Sequence, residues 1–136
     1  MIDPDFAARV AQRAYASAWG FFQPSPEWLM EPIEAKELPS EDGTGEAVLW
    51  FRIDYLRAKV VYDPARHDDG AHLWRNMGHE VAHLLLMEYD AIQQGMKGTQ
   101  ERAMTHANER AVTRLDRLFM RERPYPGDEA FAGPAP

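Results

Sequence analysis

Apolar residues first recur at Phe6, Val10, Tyr15 and Trp19, close to one helical turn apart, and Gly20 closes the run. Asp3 stands ahead of it as a candidate cap, with Pro4 tolerated in the first turn, so the spacing predicts a helix over roughly residues 4–19. The periodicity then breaks. Residues 24–45 hold Pro24, Pro26, Pro32 and Pro39 and a turn cluster at 40–45, which excludes helix and leaves room for a short edge strand over 32–38. Two β-favouring runs follow, Val48 to Tyr55 and Val60 to Tyr62. A tight turn near 54–57 makes them an antiparallel hairpin, ended by Asp63–Pro64.

Helical spacing returns from about Ala71 to Tyr89, with Asp68 and Asp69 at its positive end. Trp74, Met77, Val81, Leu84 and Leu85 fall in one arc; His72, Asn76, His79 and His83 fall in roughly the opposite one, with Glu80 at the flank. A short polar connection over 93–98 leads to a last helix of about Thr99–Arg121. Its core face is Met104, Ala111, Val112, Leu115, Leu118 and Phe119, while His106, Glu109, Thr113 and Asp116 share another side. Residues 122–136 read as a Pro-rich, irregular tail. The expected architecture is a single α+β domain over 1–121: an N-terminal helix, a small antiparallel sheet and two C-terminal helices.

Composition narrows the function. An apolar content of 45%, with six Phe, four Trp and five Tyr, is that of a folded globule. A formal charge of −7 and the lack of a helix-turn-helix pattern disfavour a nucleic-acid surface. The chain has no cysteine, so disulfide scaffolds, thiolate zinc sites and cysteine nucleophiles are excluded, and any metal must be held by His, Asp or Glu. The N-terminus is acidic where a signal peptide is basic, and no segment has the apolar length of a membrane span. The expectation is a cytoplasmic protein without a membrane partner.

The stretch GHEVAHLLL, residues 78–86, carries the chemistry. His79 and His83 are four apart and so neighbours on a helix surface, able to converge on one ion, with Glu80 beside them. This is H-E-x-x-H, in which the histidines bind zinc and the glutamate is the general base. Chance produces the motif in roughly one or two of a hundred shuffled sequences of this composition. Its place on an amphipathic helix, opposite the core arc, makes an accident rarer still. A catalytic zinc normally takes three protein ligands and keeps an open position. The last helix offers Glu109 or His106 as the third, and Glu109 is favoured because it gives a His₂Glu set. His106 then stands beside the ligand, where an imidazole could stabilise an oxyanion.

A hairpin, a polar turn, HEVAHLLL and a Glu-bearing helix together resemble the minimal gluzincin metallopeptidases, especially the ImmA/IrrE family. VVYDPARHDDGAHLWRNMGHEVAHLLL resembles that family's strand, loop and active-site helix, and NERAVTRLDRLF its ligand helix, a likeness covering roughly residues 46–121. HEVAH is the specific part. Many gluzincins place an acidic residue four after the ligand glutamate to hold a zinc histidine; this chain has Thr113 there, so that support must come from Thr113, Asp116 or elsewhere.

The resemblance implies a zincin-like fold and peptide hydrolysis, with water activated on zinc and Glu80 as general base. It also implies a peptide or protein substrate, with a repressor as one candidate, pairing with a cleft rim near Lys59–Tyr62. The competing expectation is a silent, protease-like interaction module with a structural metal. Three other features have plainer readings. Arg110, Arg114, Arg117 and Arg121 form a solvated stripe. His67 and His72 are possible auxiliary ligands, more simply solvated. Trp19, Trp28, Trp50 and Trp74 are core candidates.

Overall fold

Asp3 opens the first helix by accepting a hydrogen bond from the Phe6 amide at 3.0 Å, and Pro4 sits in the first turn. In the computed structural model, which describes residues 2–24, 28–38, 46–52, 57–86 and 99–132 (51–52 and 99–106 by backbone alone), helix α1 spans Pro4–Phe22. It runs past Gly20, where the sequence pattern ended it. Phe21 and Phe22 explain the extra turn, because both rings pack on Phe119. Gln23, in the left-handed region at φ 48°, then stops the helix.

Four strands follow: β1 Leu29–Met30, β2 Glu34–Ala35, β3 Ala47–Arg52 and β4 Arg57–Tyr62. β3 and β4 pair antiparallel in continuous register, from Ala47 opposite Tyr62 to Arg52 opposite Arg57. β1 and β2 lie end to end on the other side of β4, both parallel to it. The sheet is therefore mixed, which corrects the expected all-antiparallel sheet. The Pro-rich segment runs back along β4 in β4's own direction and pairs with it through short stretches on either side of Pro32. The expected turn near 54–57 and the clusters at 40–45 and 93–98 fall wholly or mostly outside the described residues, as do residues 87–89 of the expected helix.

Helix α2 is Gly70–Leu85 and helix α3 is Thr99–Glu122. Asp69 caps α2 through a 2.8 Å bond from the His72 amide. α2 is the central element, packing on α1, on β3 and β4, and on α3. Its buried arc comprises Leu73, Trp74, Met77, Gly78, Val81, Ala82 and Leu84. The core joins Leu73, Trp74, Met77 and Val81 to Val10, Ala14 and Tyr15 of α1, Val60 and Tyr62 of β4, and Phe119 of α3, while Leu84 packs with Ala58 of β4 in a second cluster.

Gly78 lets α3 approach α2: a Cβ there would come within 2.5 Å of the Phe119 ring. On α3, Val112 and Phe119 are buried as the pattern predicts, but Leu118 is 38% exposed and Asp116 is buried instead. The Met104 side chain lies outside the described part. Trp74 is a core residue, whereas Trp50 projects from β3 with Lys59 over its ring.

The segment after α3 belongs to the fold. Arg123 accepts a hydrogen bond from the Trp74 indole at 2.9 Å, Arg9 donates to the Phe131 carbonyl at 2.8 Å, and Phe131 is buried against Trp74 and Tyr125. A short 3-10 turn, Asp128–Phe131, shapes this contact. No helix among the described residues is long and apolar enough to cross a membrane.

Candidate metal centre

The face of α2 opposite its core arc is only partly open to solvent. His72, Asn76, His79, Glu80 and His83 are all partly buried, enclosed by β3 on one side and α3 on the other. One helical turn separates His79 from His83, and their ring centroids are 4.9 Å apart. α3 brings Glu109 to the same point. Ligand atoms of His79, His83 and Glu109 all lie within 4.8 Å of one another.

The His83 Nε2 to Glu109 Oε1 separation is 3.8 Å. That is too long for a hydrogen bond, yet near the spacing of roughly 3.3 Å that bonds of about 2.0–2.1 Å impose between tetrahedral zinc ligands. The donor set of two imidazoles and one carboxylate fits zinc and similar borderline cations better than calcium or magnesium.

Asp116 completes the support. Its carboxylate lies 2.6 Å from His79 Nδ1, and a carboxylate can only accept there, so Nδ1 carries the proton and Nε2 presents a lone pair. Asp116 is seven residues after Glu109 and hence on the same helix face two turns on. Thr113, at the four-residue position, instead lines the adjacent cleft. Of the two supports the sequence offered, Asp116 is the one that holds a histidine.

Glu80 points at the β3 side, where its carboxylate is held by the Leu49 backbone amide. Burial raises its pKa to about 8, against the lowering effect of that hydrogen bond and with help from repulsion by Glu109. His83 moves the other way. Burial and the neighbouring His79 lower its pKa, despite Glu109 and Asp116, so its ring is neutral and able to ligate at neutral pH.

A cleft of about 560 Å³ opens beside this cluster, lined among others by Glu46, Arg75, His79, Glu80, Thr113 and Met120. The strand beside it is β3. The expected rim, Lys59–Tyr62, is interior to the sheet, with β3 on one side and β1 and β2 on the other, so its backbone is already paired.

The side chain of His106 lies outside the described residues; its backbone belongs to α3, three residues before Glu109. His67, read from sequence as a solvated loop residue, is 1% exposed. Its neighbour Glu46 was not singled out at all, since nothing in the sequence links a residue preceding β3 to histidines more than twenty positions later. The exposed arginines of α3 match the solvated stripe expected of them. The chain matches no family model, no curated protein and no solved structure.

Proposed function

We propose that this protein is a zinc-dependent metallopeptidase of the gluzincin type, similar to the ImmA/IrrE family, with His79, His83 and Glu109 as metal ligands and Glu80 as general base. One observation carries the reading: three donors from two helices converge at ligand spacing, with Asp116 fixing one imidazole and a second carboxylate alongside. An ion held there supplies Lewis acidity, which polarises a carbonyl and brings the ionisation of a water towards neutrality.

The protein's own groups do the rest. The Glu80 carboxylate takes the proton from the attacking water and delivers it to the leaving amine. The Leu49 amide anchors that carboxylate at the junction of α2 and β3. His79, tethered by Asp116, keeps its orientation. β3 pairs along one side with β4; its other side, which has no strand partner among the described residues and gives its Leu49 amide to Glu80, is the edge that would take an extended peptide by strand addition. His106 is the candidate oxyanion stabiliser, one turn before Glu109 on α3.

Zinc binding by chelator competition tests the ligand set. Glu109→Ala loses the zinc equivalent that His106→Ala retains. Equal retention by both variants contradicts it, and retention by Glu109→Ala with loss in His106→Ala makes the set three histidines. Zinc held without cleavage of any peptide leaves the interaction module as the better account.

A further inference from the structure

A second group of ligating side chains lies behind the same cleft, which one of its members, Glu46, lines. Glu46 precedes β3, His67 follows the 3-10 turn Pro64–Arg66, and His72 stands in the first turn of α2. Their ligand atoms lie within 4.8 Å of one another, as those of the first cluster do. The two imidazole centroids are 4.9 Å apart, the same separation as His79 and His83. His72 Nε2 lies 3.0 Å from Glu46 Oε2.

We propose that Glu46, His67 and His72 form a second zinc site, separate from the one on His79, His83 and Glu109. Three observations support it. His67 Nδ1 donates to the Asp63 carbonyl at 2.8 Å, which leaves Nε2 with its lone pair turned into the cluster. This is how a ligating histidine is normally oriented, through its far ring nitrogen and a carbonyl or carboxylate. A single amide nitrogen, Asn76 Nδ2, touches both Glu46 Oε2 at 2.8 Å and His67 Nε2 at 3.0 Å. The lone pairs of those two acceptors therefore converge on one small region. Access is provided by Glu46 and Asn76, which line the cleft and lead from solvent to a buried imidazole.

Two imidazoles with one carboxylate make a zinc-type donor set rather than an all-oxygen calcium or magnesium set. The hydrogen bonds among these residues hold the donors in place before the ion arrives. Ligation requires His72 to carry its proton on Nδ1, giving up a long 3.4 Å contact from the Asp68 amide and its own 3.0 Å donation to Glu46, and it requires the Asn76 amide to yield its place between Glu46 and His67 to the ion. The ion would join the start of β3, the loop after β4 and the start of α2.

The test counts zinc on the full-length chain. Wild type binds about two equivalents, and His79→Ala/His83→Ala retains about one. Glu46→Gln, which keeps the side-chain size and an acceptor for Asn76, binds one equivalent fewer than its parent in either background. Cobalt(II) substituted into the double histidine variant gives a tetrahedral absorption band that Glu46→Gln abolishes. The proposal is overturned if the double variant binds no zinc while remaining folded by circular dichroism. It is equally overturned if wild type binds a single equivalent that Glu46→Gln leaves untouched.

Discussion

His79 Nδ1 and an Asp116 carboxylate oxygen meet at 2.6 Å across the α2–α3 interface, with Asp116 all but buried. The pair fixes the ring that opens the H-E-x-x-H motif. Removing a partner that orients a metal-bound histidine typically weakens metal affinity about 10–100-fold. Asp116→Ala is expected to fall in that range, measured by competition against a chromogenic chelator. Unchanged affinity would show that the contact does not hold the ligand.

Gly78 is the residue just before the motif, and Phe119 covers it. Alanine normally favours a helix over glycine by roughly 0.5–1 kcal/mol. Here the added methyl meets the Phe119 ring at 2.5 Å, and overpacking of that kind costs about 1–3 kcal/mol. Gly78→Ala is expected to lower the thermal midpoint despite its better helix propensity. A rise would mean that α3 can shift freely on α2.

The segment after α3 predicts an effect on stability. Phe131 is 4% exposed and packs on Phe6, Trp74 and Tyr125, none of which belongs to the candidate metal cluster. Phe131→Ala should cost about 3–5 kcal/mol by denaturant unfolding. Zinc affinity of the folded fraction should not change. A variant as stable as wild type would place this segment outside the core.

Alkaline pH should destabilise the protein through its buried tyrosines. Burial raises the pKa of Tyr15, with Glu31 adding to the effect, and burial also raises that of Tyr62. An acid whose folded pKa is raised keeps its proton in the fold while the unfolded chain loses it, so stability falls as the pH climbs past about 10. Among the described residues the Tyr15 hydroxyl also has no hydrogen-bond partner. Tyr15→Phe removes an unsatisfied buried group worth about 1–3 kcal/mol and should both stabilise the protein and flatten its alkaline loss. Thermal midpoints across the alkaline range decide this; a destabilised Tyr15→Phe contradicts it.

The helices were legible because their apolar spacing is regular and their ends carry chemical signals: Asp3 and Asp69 cap α1 and α2 as the sequence suggested. The partners of β4 were less so. Whether Leu29–Met30 and Glu34–Ala35 join β4 parallel or antiparallel depends on the path of the chain, which two-residue strands do not encode. The C-terminal end of α1 lies beyond the one its spacing predicts because Phe21 and Phe22 gain their burial from Phe119, nearly a hundred residues away. The same limit applies at the site. Helix spacing and motif chemistry nominate His79, Glu80 and His83 and leave Glu109 and His106 as alternatives for the third ligand, whereas Glu46 meets His72 and Asn76 only once β3 is laid beside α2.

Glu80→Gln gives the most direct measurement of the central claim. The zinc-loaded variant and wild type would be incubated with a peptide library and the products read by mass spectrometry. The account predicts cleavage by wild type, lost on chelation and restored by zinc. Glu80→Gln should retain the metal and cleave about 100- to 10,000-fold more slowly, the usual contribution of a general base. Cleavage by the zinc-loaded variant at the wild-type rate would contradict the role given to Glu80, and absence of zinc-dependent cleavage in wild type would contradict the peptidase itself.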